Sequence, residues 1–558
     1  MQKIFQFLGK EYRNLSQAAF LLGIFSLLSQ ILGLFRDRAI AHFIGPSPLL
    51  DTYYAAFRVP DLIFISVASL ASVTVLIPFM SENTGEKASI DARNFISHVF
   101  SVFSVVLVLV SILVYIFMPL IVHIVAPGFP SVMQLKTIDL SRIMLLSPIF
   151  LGLSNLFGSI TQLHRKFFVY ALSPVFYNLG IIGGVVLLYP YVGINGLAFG
   201  VVSGALMHFG IQALAATRLG FAPQFTHNIN WSIIRKVVSA SLPRTLGLSF
   251  NNIALIAIVS FASFLSSGSI SIFNLSLNLQ SVPLGIIGLS YAVAAFPTLS
   301  KTHAQGLVGE FKRELGQAAN QIIFWSLPVA FLFIVLRAQI VRVILGSGFF
   351  SWDDTRLVAA SLAVFSISIV AQGLIALFAR AYYATGNTKK PLYINLLSSV
   401  SIVFFAYLFL MVFKHSLVFR YFIESILKVD GISGTEVLML PLAYSVGTLI
   451  NFILLWVSLK RDFMRKEYFI ARTFFQSLAA AFLSGTVTYF ALNAFASVFN
   501  LNTFWGIFSQ GFFAGICGII ACVFILSVLG NKELADMLIM LKTKFWKTKV
   551  IVPDQENM

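Results

Sequence analysis

The sequence predicts an all-α polytopic membrane protein of about fourteen transmembrane helices: two six-helix bundles related by a parallel repeat, plus two C-terminal helices. Three observations carry this. The 558 residues are 58% hydrophobic and only 11% charged, with a mean hydropathy of +0.89, too apolar for a set of water-soluble domains. Fourteen runs are long enough to cross roughly 30 Å of hydrocarbon, which takes about 20 residues each. Features of the first half recur in the second at a nearly constant spacing.

The runs fall near 16–43, 53–80, 95–122, 138–163, 167–189, 193–217, 234–265, 269–298, 316–345, 356–385, 391–413, 438–459, 471–497 and 504–530. They are too long and too continuously apolar for barrel strands, and in hydrocarbon the remaining way to satisfy the backbone is a helix. The first follows a polar leader with Lys3, Lys10 and Arg13. It is too long for a signal-peptide core and has no small-residue cleavage site, so it is expected to stay as a helix. The second opens on Asp51, Arg58 and Asp61 and ends on the P-x-x-S of Pro78 to Ser81; the third leads into Gly128-Phe129. The fourth carries Asp139 at its mouth, the fifth the pair Pro174 and Asn178, and the sixth completes the first bundle. The seventh contains Arg244, Asn251 and Asn252; the eighth contains Val282-Pro283 and Pro297 to Ser300. Arg337 and Arg342 end the ninth, Arg380 lies in the tenth, Pro391 and Asn395 begin the eleventh, and Asn451 lies in the twelfth. Cys517 and Cys522 both sit in the fourteenth, where they read as packing or lipid-facing residues and leave the redox compartment unread.

Four features repeat in register. Val59-Pro60 matches Val282-Pro283, Pro78 to Ser81 matches Pro297 to Ser300, Gly128-Phe129 matches Gly348-Phe349, and Pro174 with Asn178 matches Pro391 with Asn395, at a spacing of about 220 residues. Six helices per repeat is an even number, so the halves share one orientation. The expected division is 1–217 for the first bundle, 218–437 for helices seven to eleven and the loop after them, and 438–470 for the twelfth helix that completes the second bundle. Residues 471–530 form the two extra helices and 531–558 a basic tail. Two bundles with a cavity between them are a transporter architecture; a duplicated scaffold without transport is the alternative.

Net charge is +17, but the basic residues cluster in short connections rather than on one soluble face, which favours a membrane surface over nucleic acid. Most of the 38 Lys and Arg fall at the termini and in alternate connections, whereas the opposite connections hold only Lys136, Arg356, Lys414, Arg420 and Lys428. Both termini are therefore expected on the cytoplasmic side. No G-x-x-x-x-G-K-[ST], H-E-x-x-H or C-x-x-C occurs. No catalytic residue, metal or cofactor is expected, since there is no paired acid and base deep in a helix.

The charges of the first hairpin need an account. At 100° per residue Ser29, Gly33 and Arg36 share a helical face with Asp37 beside it, and a glycine there admits a close neighbour. An unpaired charge at bilayer depth costs at least about 2.5 to 3.5 kcal/mol, so these residues are paired, face an aqueous cavity, or lie at the interface. Roughly 18 apolar residues precede Arg36, which allows snorkelling at the outer surface. The functional alternative is a cavity that holds an anion, for which the planar fork of Arg is suited.

The motifs S-x-x-L-G-x-x-R-D (Ser29, Leu32, Gly33, Arg36, Asp37), Asp51, A-F-R-V-P-D-L (Ala56 to Leu62) and A-P-G-F (Ala126 to Phe129) resemble the MurJ (MviN) family of lipid II flippases. So do A-S-F-L-x-x-G-S-I-S (Ala262 to Ser271), Pro283 to Gly285 and F-P-T-L-S (Phe296 to Ser300). The resemblance implies a multidrug/oligosaccharidyl-lipid/polysaccharide exporter fold with two lobes around a cationic cavity, and a groove for the polyprenyl tail made by the last two helices. It implies lipid II or a related polyprenyl-pyrophosphate glycan as cargo, membrane lipids as surroundings, and cell-wall synthesis proteins as candidate partners, in a bacterial inner membrane. The cavity residues on this reading are Ser29, Gln30, Gly33, Arg36, Asp37, Asp51, Arg58 and Asn278, with Arg244, just after Pro243 at the start of the seventh helix, as either a replacement charge from the second bundle or a snorkelling arginine at the cytoplasmic end. The chain departs from the family at Gln30, Phe64 and Asn278, where arginines are expected. That leaves open an exporter of a different polyprenyl-linked glycan or an amphipathic drug, and, in another class, a non-transporting scaffold for cell-wall enzymes.

Overall fold

The computed structural model describes residues 15–67, 86–164, 166–221, 223–463 and 470–545. All regular structure among them is helical. Helix α1 (Leu15–Phe43) stops at Gly45, whose φ of +64° turns the chain. Helix α2 (Pro48–Ser66) starts there for a local reason: Ser47 caps it by accepting from the Leu50 N–H, and Pro48 supplies a preset first turn. The expected second run extends to 80, and the part beyond 67 lies outside the described residues.

Then follow α3 (Glu86–Val125), α4 (Ser131–Met144 continuing as Leu146–Leu163), α5 (Phe167–Gly183, extended to Val192 through a π-turn) and α6 (Asn195–Arg218). The next is α7 (Trp231–Ala262), capped by Asn230. Helix α8 (Ser269–Pro283) runs on to Ala304 through a π-turn at Leu284–Leu289, which absorbs the missing N–H and the ring of Pro283. Helix α9 is Val308–Val335, and α10 is Trp352–Ser366 and Ile369–Ala384, bent by 45°. The set closes with α11 (Lys389–His415), α12 (Met439–Phe463), α13 (Ala471–Ala496) and α14 (Phe504–Val528).

Among the described residues eleven stretches are apolar and long enough to cross a membrane, and the bent α10 makes twelve. Helices α1 and α2, which carry Arg36, Asp37, Arg38 and Asp51, Arg58, Asp61, lie outside that set. Two expectations change. The ninth run does not reach 345 unbroken: it ends at Val335, and Arg337–Leu345 is a separate short helix after Leu336. Arg337 donates to the carbonyls of Ile334 and Leu427, and those bonds hold the chain out of line with α9. The connection between α11 and α12 is not a plain loop, because Leu417–Leu427 forms an amphipathic helix capped by Ser416.

Helix pairings recur across the chain. Helix α1 packs on α5, α2 on α4 and α5 on α6; likewise α7 packs on α11, α8 on α10 and α11 on α12. The largest core cluster crosses between the two sets, joining Ile40, Leu50 and Tyr53 to Ile258, Phe273 and Phe365. Apolar burial therefore holds the two sets together at one end, beside the connections that are poor in Lys and Arg.

Candidate functional site

Buried charge from both helices of the first hairpin gathers where α1 and α2 meet α8. A cavity of about 160 Å³ lies there, with Arg36, Asp37, Arg58 and Asp61 from the first set and Asn274 and Asn278 from α8, roofed by Tyr53, Tyr54 and Phe57. Formal charges balance, two arginines against two aspartates. The Asp37 side chain is 3% exposed and that of Arg36 is 23%. Burial of such groups is tolerated only with close partners, because the desolvation cost is several kcal/mol per ion.

The partners are present. Arg36 donates from Nη2 and Nε to Asp37 Oδ1 at 2.8 and 2.9 Å, and from Nη1 to Asn178 Oδ1 at 3.4 Å. Asn178 in turn donates to the Ser29 carbonyl and Oγ, at 3.2 and 3.1 Å. Asp37 Oδ2 accepts from Asn278 Nδ2 at 3.1 Å. A continuous chain of bonds thus runs Ser29, Asn178, Arg36, Asp37, Asn278. Arg58, itself buried, donates to Asn274 Oδ1. Asn274 and Asn278 stand one turn apart on α8, so a single face offers an acceptor to a cation and a donor to an anion. Unused capacity remains: Arg58 Nε and Tyr54 Oη are buried with no hydrogen-bond partner among the described residues.

The expected site residues do not all converge. Arg36, Asp37, Arg58 and Asn278 line the cavity, and Ser29 supports it through Asn178. Gln30 reaches α8 instead, where a Cβ added to Gly285 would stand 2.9 Å from Gln30 Nε2. Gly33 has open space beside it. Arg244 falls inside α7 rather than at its start, and its side chain lies outside the described residues. Asp51 is not on the cavity wall. Its carboxylate accepts from the N–H groups of Gly268 and Ser271 at 2.7 and 2.8 Å and from Ser271 Oγ at 2.6 Å, capping α8 from α2. Asp61, Asn274 and Tyr54 were missed. Asp61 is one turn from Arg58 and Asn274 one turn from Asn278, so the period was readable, but not the partners.

Beyond the cavity the two sets are sealed. Phe349 N–H donates to the His42 carbonyl at 3.1 Å and Gly128 N–H to Ser263 Oγ at 2.9 Å. A Cβ at Gly348 would meet the His42 oxygen at 2.1 Å, and one at Gly128 the Ser263 oxygen at 2.4 Å. Arg38 adds a bond of 2.6 Å to the Val343 carbonyl. All of these lie at the end with the sparsely charged connections.

Residues 40–419 match a family model described as "Lipid II flippase MurJ". A protein of Buchnera aphidicola (subspecies Acyrthosiphon pisum) named "Probable lipid II flippase MurJ" is 30% identical over 386 residues, 68% of this chain and 75% of that one. The "Lipid II flippase MurJ" of Burkholderia cenocepacia is 24% identical over 86% of this chain and 91% of its own. Among solved structures, "Lipid II flippase MurJ, inward closed conformation" superposes with a TM-score of 0.72 at 21% identity, covering 93% of this chain and all of that one. An inward-facing multidrug transporter of the MOP superfamily does so at 0.62 and 15% identity, over 80% of this chain and 99% of its own.

Proposed function

The chain belongs to the lipid II flippase MurJ family, and from that premise we propose that it carries lipid II, an undecaprenyl-pyrophosphate-linked disaccharide-pentapeptide, from the inner to the outer leaflet by alternating access. The moving halves are residues 1–217 and 218–470, both termini are cytoplasmic, and the membrane is the bacterial inner membrane. What supports the reading is the buried, charge-bearing cavity between halves that are sealed at one end only by contacts able to separate.

The cargo has a polar anionic head and an apolar tail, so it needs a hydrated, cationic path for the head while the tail stays in lipid. Arg36 and Arg58 are the ligands of the pyrophosphate, Arg36 through its fork and Arg58 through its unused Nε. Asp37 holds Arg36 in place and occupies its fork until the phosphate arrives. A cavity of about 160 Å³ holds about five waters at roughly 30 Å³ each, far less than the head group. The halves must therefore part to load, and the bonds from Asn278 to Asp37 and from Arg58 to Asn274 re-form as they close. No covalent bond is made or broken.

Expression in bacteria depleted of their own lipid II flippase tests this, beside Arg36→Ala and Arg58→Ala with membrane levels checked. Rescue by the parent and failure of both variants is the expected result. A well-expressed parent that does not rescue overturns the cargo. In that case the neutral Gln30 and Asn278 favour a second reading, transport of a different polyprenyl-linked glycan.

A further inference from the structure

A second concavity lies at the sealed end, on the outside of the bundle, between the short helix Arg337–Leu345 and the start of α14. Its upper part, about 510 Å³, mixes the polar groups of Arg342, Asn502 and Thr503 with Trp352 and Phe504. Its lower part is a wholly apolar groove of about 210 Å³ between Leu336, Ile340, Ile344 and the α14 residues Phe508 and Phe512. The two share Val343 and Ile507 and are therefore continuous.

Two arginines stand at the top, near the turn of α10 that carries Asp353 and Asp354. Arg342 makes two long bonds of 3.5 Å, to the Phe350 carbonyl and Thr355 Oγ1, and its guanidinium lies 5.8 Å from the Trp352 ring centre. Arg38 spends its Nη1 on the carbonyls of Val343 and Ile344 and lies over Phe504, in the wall of the upper part. Neither arginine has a carboxylate partner among the described residues. Below them Phe504, Phe508 and Phe512 stack successively, 6.3 and 5.7 Å apart, along one stripe of α14. Trp352 is 56% exposed and Trp505 is 71% exposed, a placement that suits a membrane–water interface.

A cationic cup at interface height continuing into an apolar slot has the shape of a lipid. We propose that this face holds one anionic phospholipid of the leaflet at the sealed end, its phosphate on Arg342 and one acyl chain in the slot between Ile340 and Phe508. The site shares no residue with the wall of the central cavity.

Native mass spectrometry of the full-length protein in detergent tests this with dioleoylphosphatidylglycerol, dioleoylphosphatidylcholine and inorganic phosphate as probes. The phosphatidylglycerol is expected to bind at least several-fold tighter than the choline lipid of identical chains. Arg342→Gln should weaken it roughly tenfold, the scale of one charge-assisted contact. Asn502→Asp, on an exposed loop that tolerates it, should weaken it similarly and Asn502→Lys strengthen it. Phe508→Ala should weaken both lipids, and Arg461→Gln, at the other end of the bundle, should weaken neither. If Arg342→Gln does not fold, the opposed Asn502 pair decides alone. Equal binding of the two lipids, insensitivity to the Asn502 charge, or displacement of the lipid by millimolar inorganic phosphate would each overturn the assignment.

Discussion

Asp51 on α2 accepts from both the backbone N–H and the Oγ of Ser271 on α8, at 2.8 and 2.6 Å, although 220 residues separate them. The carboxylate serves as the helix cap that α8 does not supply for itself: Gly268, at its N-cap position, has no side chain to offer and a φ of +88°. The bond that starts α8 is thus also a bond between the two halves.

Asp51→Ala removes three charge-assisted bonds at once. Each is worth about 1.5 to 3 kcal/mol when the acceptor is ionised, and the loss falls on the sealed state alone. The expected outcome is a shift toward the open form. In a chain with Cys517 and Cys522 replaced by alanine and Asn278→Cys as reporter, a membrane-impermeant thiol reagent added outside should label Asn278→Cys faster when Asp51→Ala is present. Unchanged labelling would mean the cap does not hold the seal.

Gly348 sits at φ +58° with its Cα facing the His42 carbonyl. Gly348→Ala combines a left-handed strain of roughly 1 to 2 kcal/mol with a Cβ 2.1 Å from backbone oxygen, which the halves can relieve only by separating. Gly386→Ala carries the same strain at φ +74° with open space around it. The first should abolish complementation at normal membrane levels, and the second should retain it. Equal effects would reduce the role of Gly348 to local backbone conformation.

The transmembrane runs were legible because hydrocarbon thickness sets their length and continuous apolarity marks them. The break at Leu336 was not, since Arg337 is drawn to a carbonyl of Leu427 that no local pattern announces. Within the site, Arg36 and Asp37 stood out as charges in an apolar helix. Asn278 entered only through the family resemblance, and that Asn178 and Asn278 bond to this pair was not legible, because which polar faces meet depends on how distant helices close on each other. Asp51 was read as a cavity residue for the same reason: its partners are largely backbone N–H groups, which carry no side-chain signature.

Asp37 occupies the fork of Arg36 at Nε and Nη2. Asp37→Asn withdraws the competing charge while keeping the shape and an acceptor. Undecaprenyl pyrophosphate should then bind tighter, on the order of tenfold or about 1.4 kcal/mol, and complementation should weaken because release slows. Undecaprenol, which lacks the phosphates, should be indifferent. A titration of the purified protein with both lipids checks this, and weaker pyrophosphate binding would remove Arg36 from the ligand set.

The bond between Arg58 and Asn274 separates stability from transport. Asn274→Leu leaves a buried guanidinium without its acceptor, a change that costs about 3 to 5 kcal/mol when one partner of a buried charged contact is removed. Arg58→Met strands the Asn274 amide oxygen, about 1 to 3 kcal/mol, and takes from Asp61 a cation that balances it in the cavity. Combining the two replaces a polar contact by an apolar one of similar volume, and the double variant should regain part of the thermal stability that Asn274→Leu loses. Because neighbours in contact are not additive, the difference measures the coupling directly. Transport should not return if Arg58 is a ligand of the pyrophosphate, as proposed. Thermal unfolding in detergent, set beside complementation, reads both quantities. A double variant that is stable and also rescues growth would show that Arg58 serves only to tie α2 to α8.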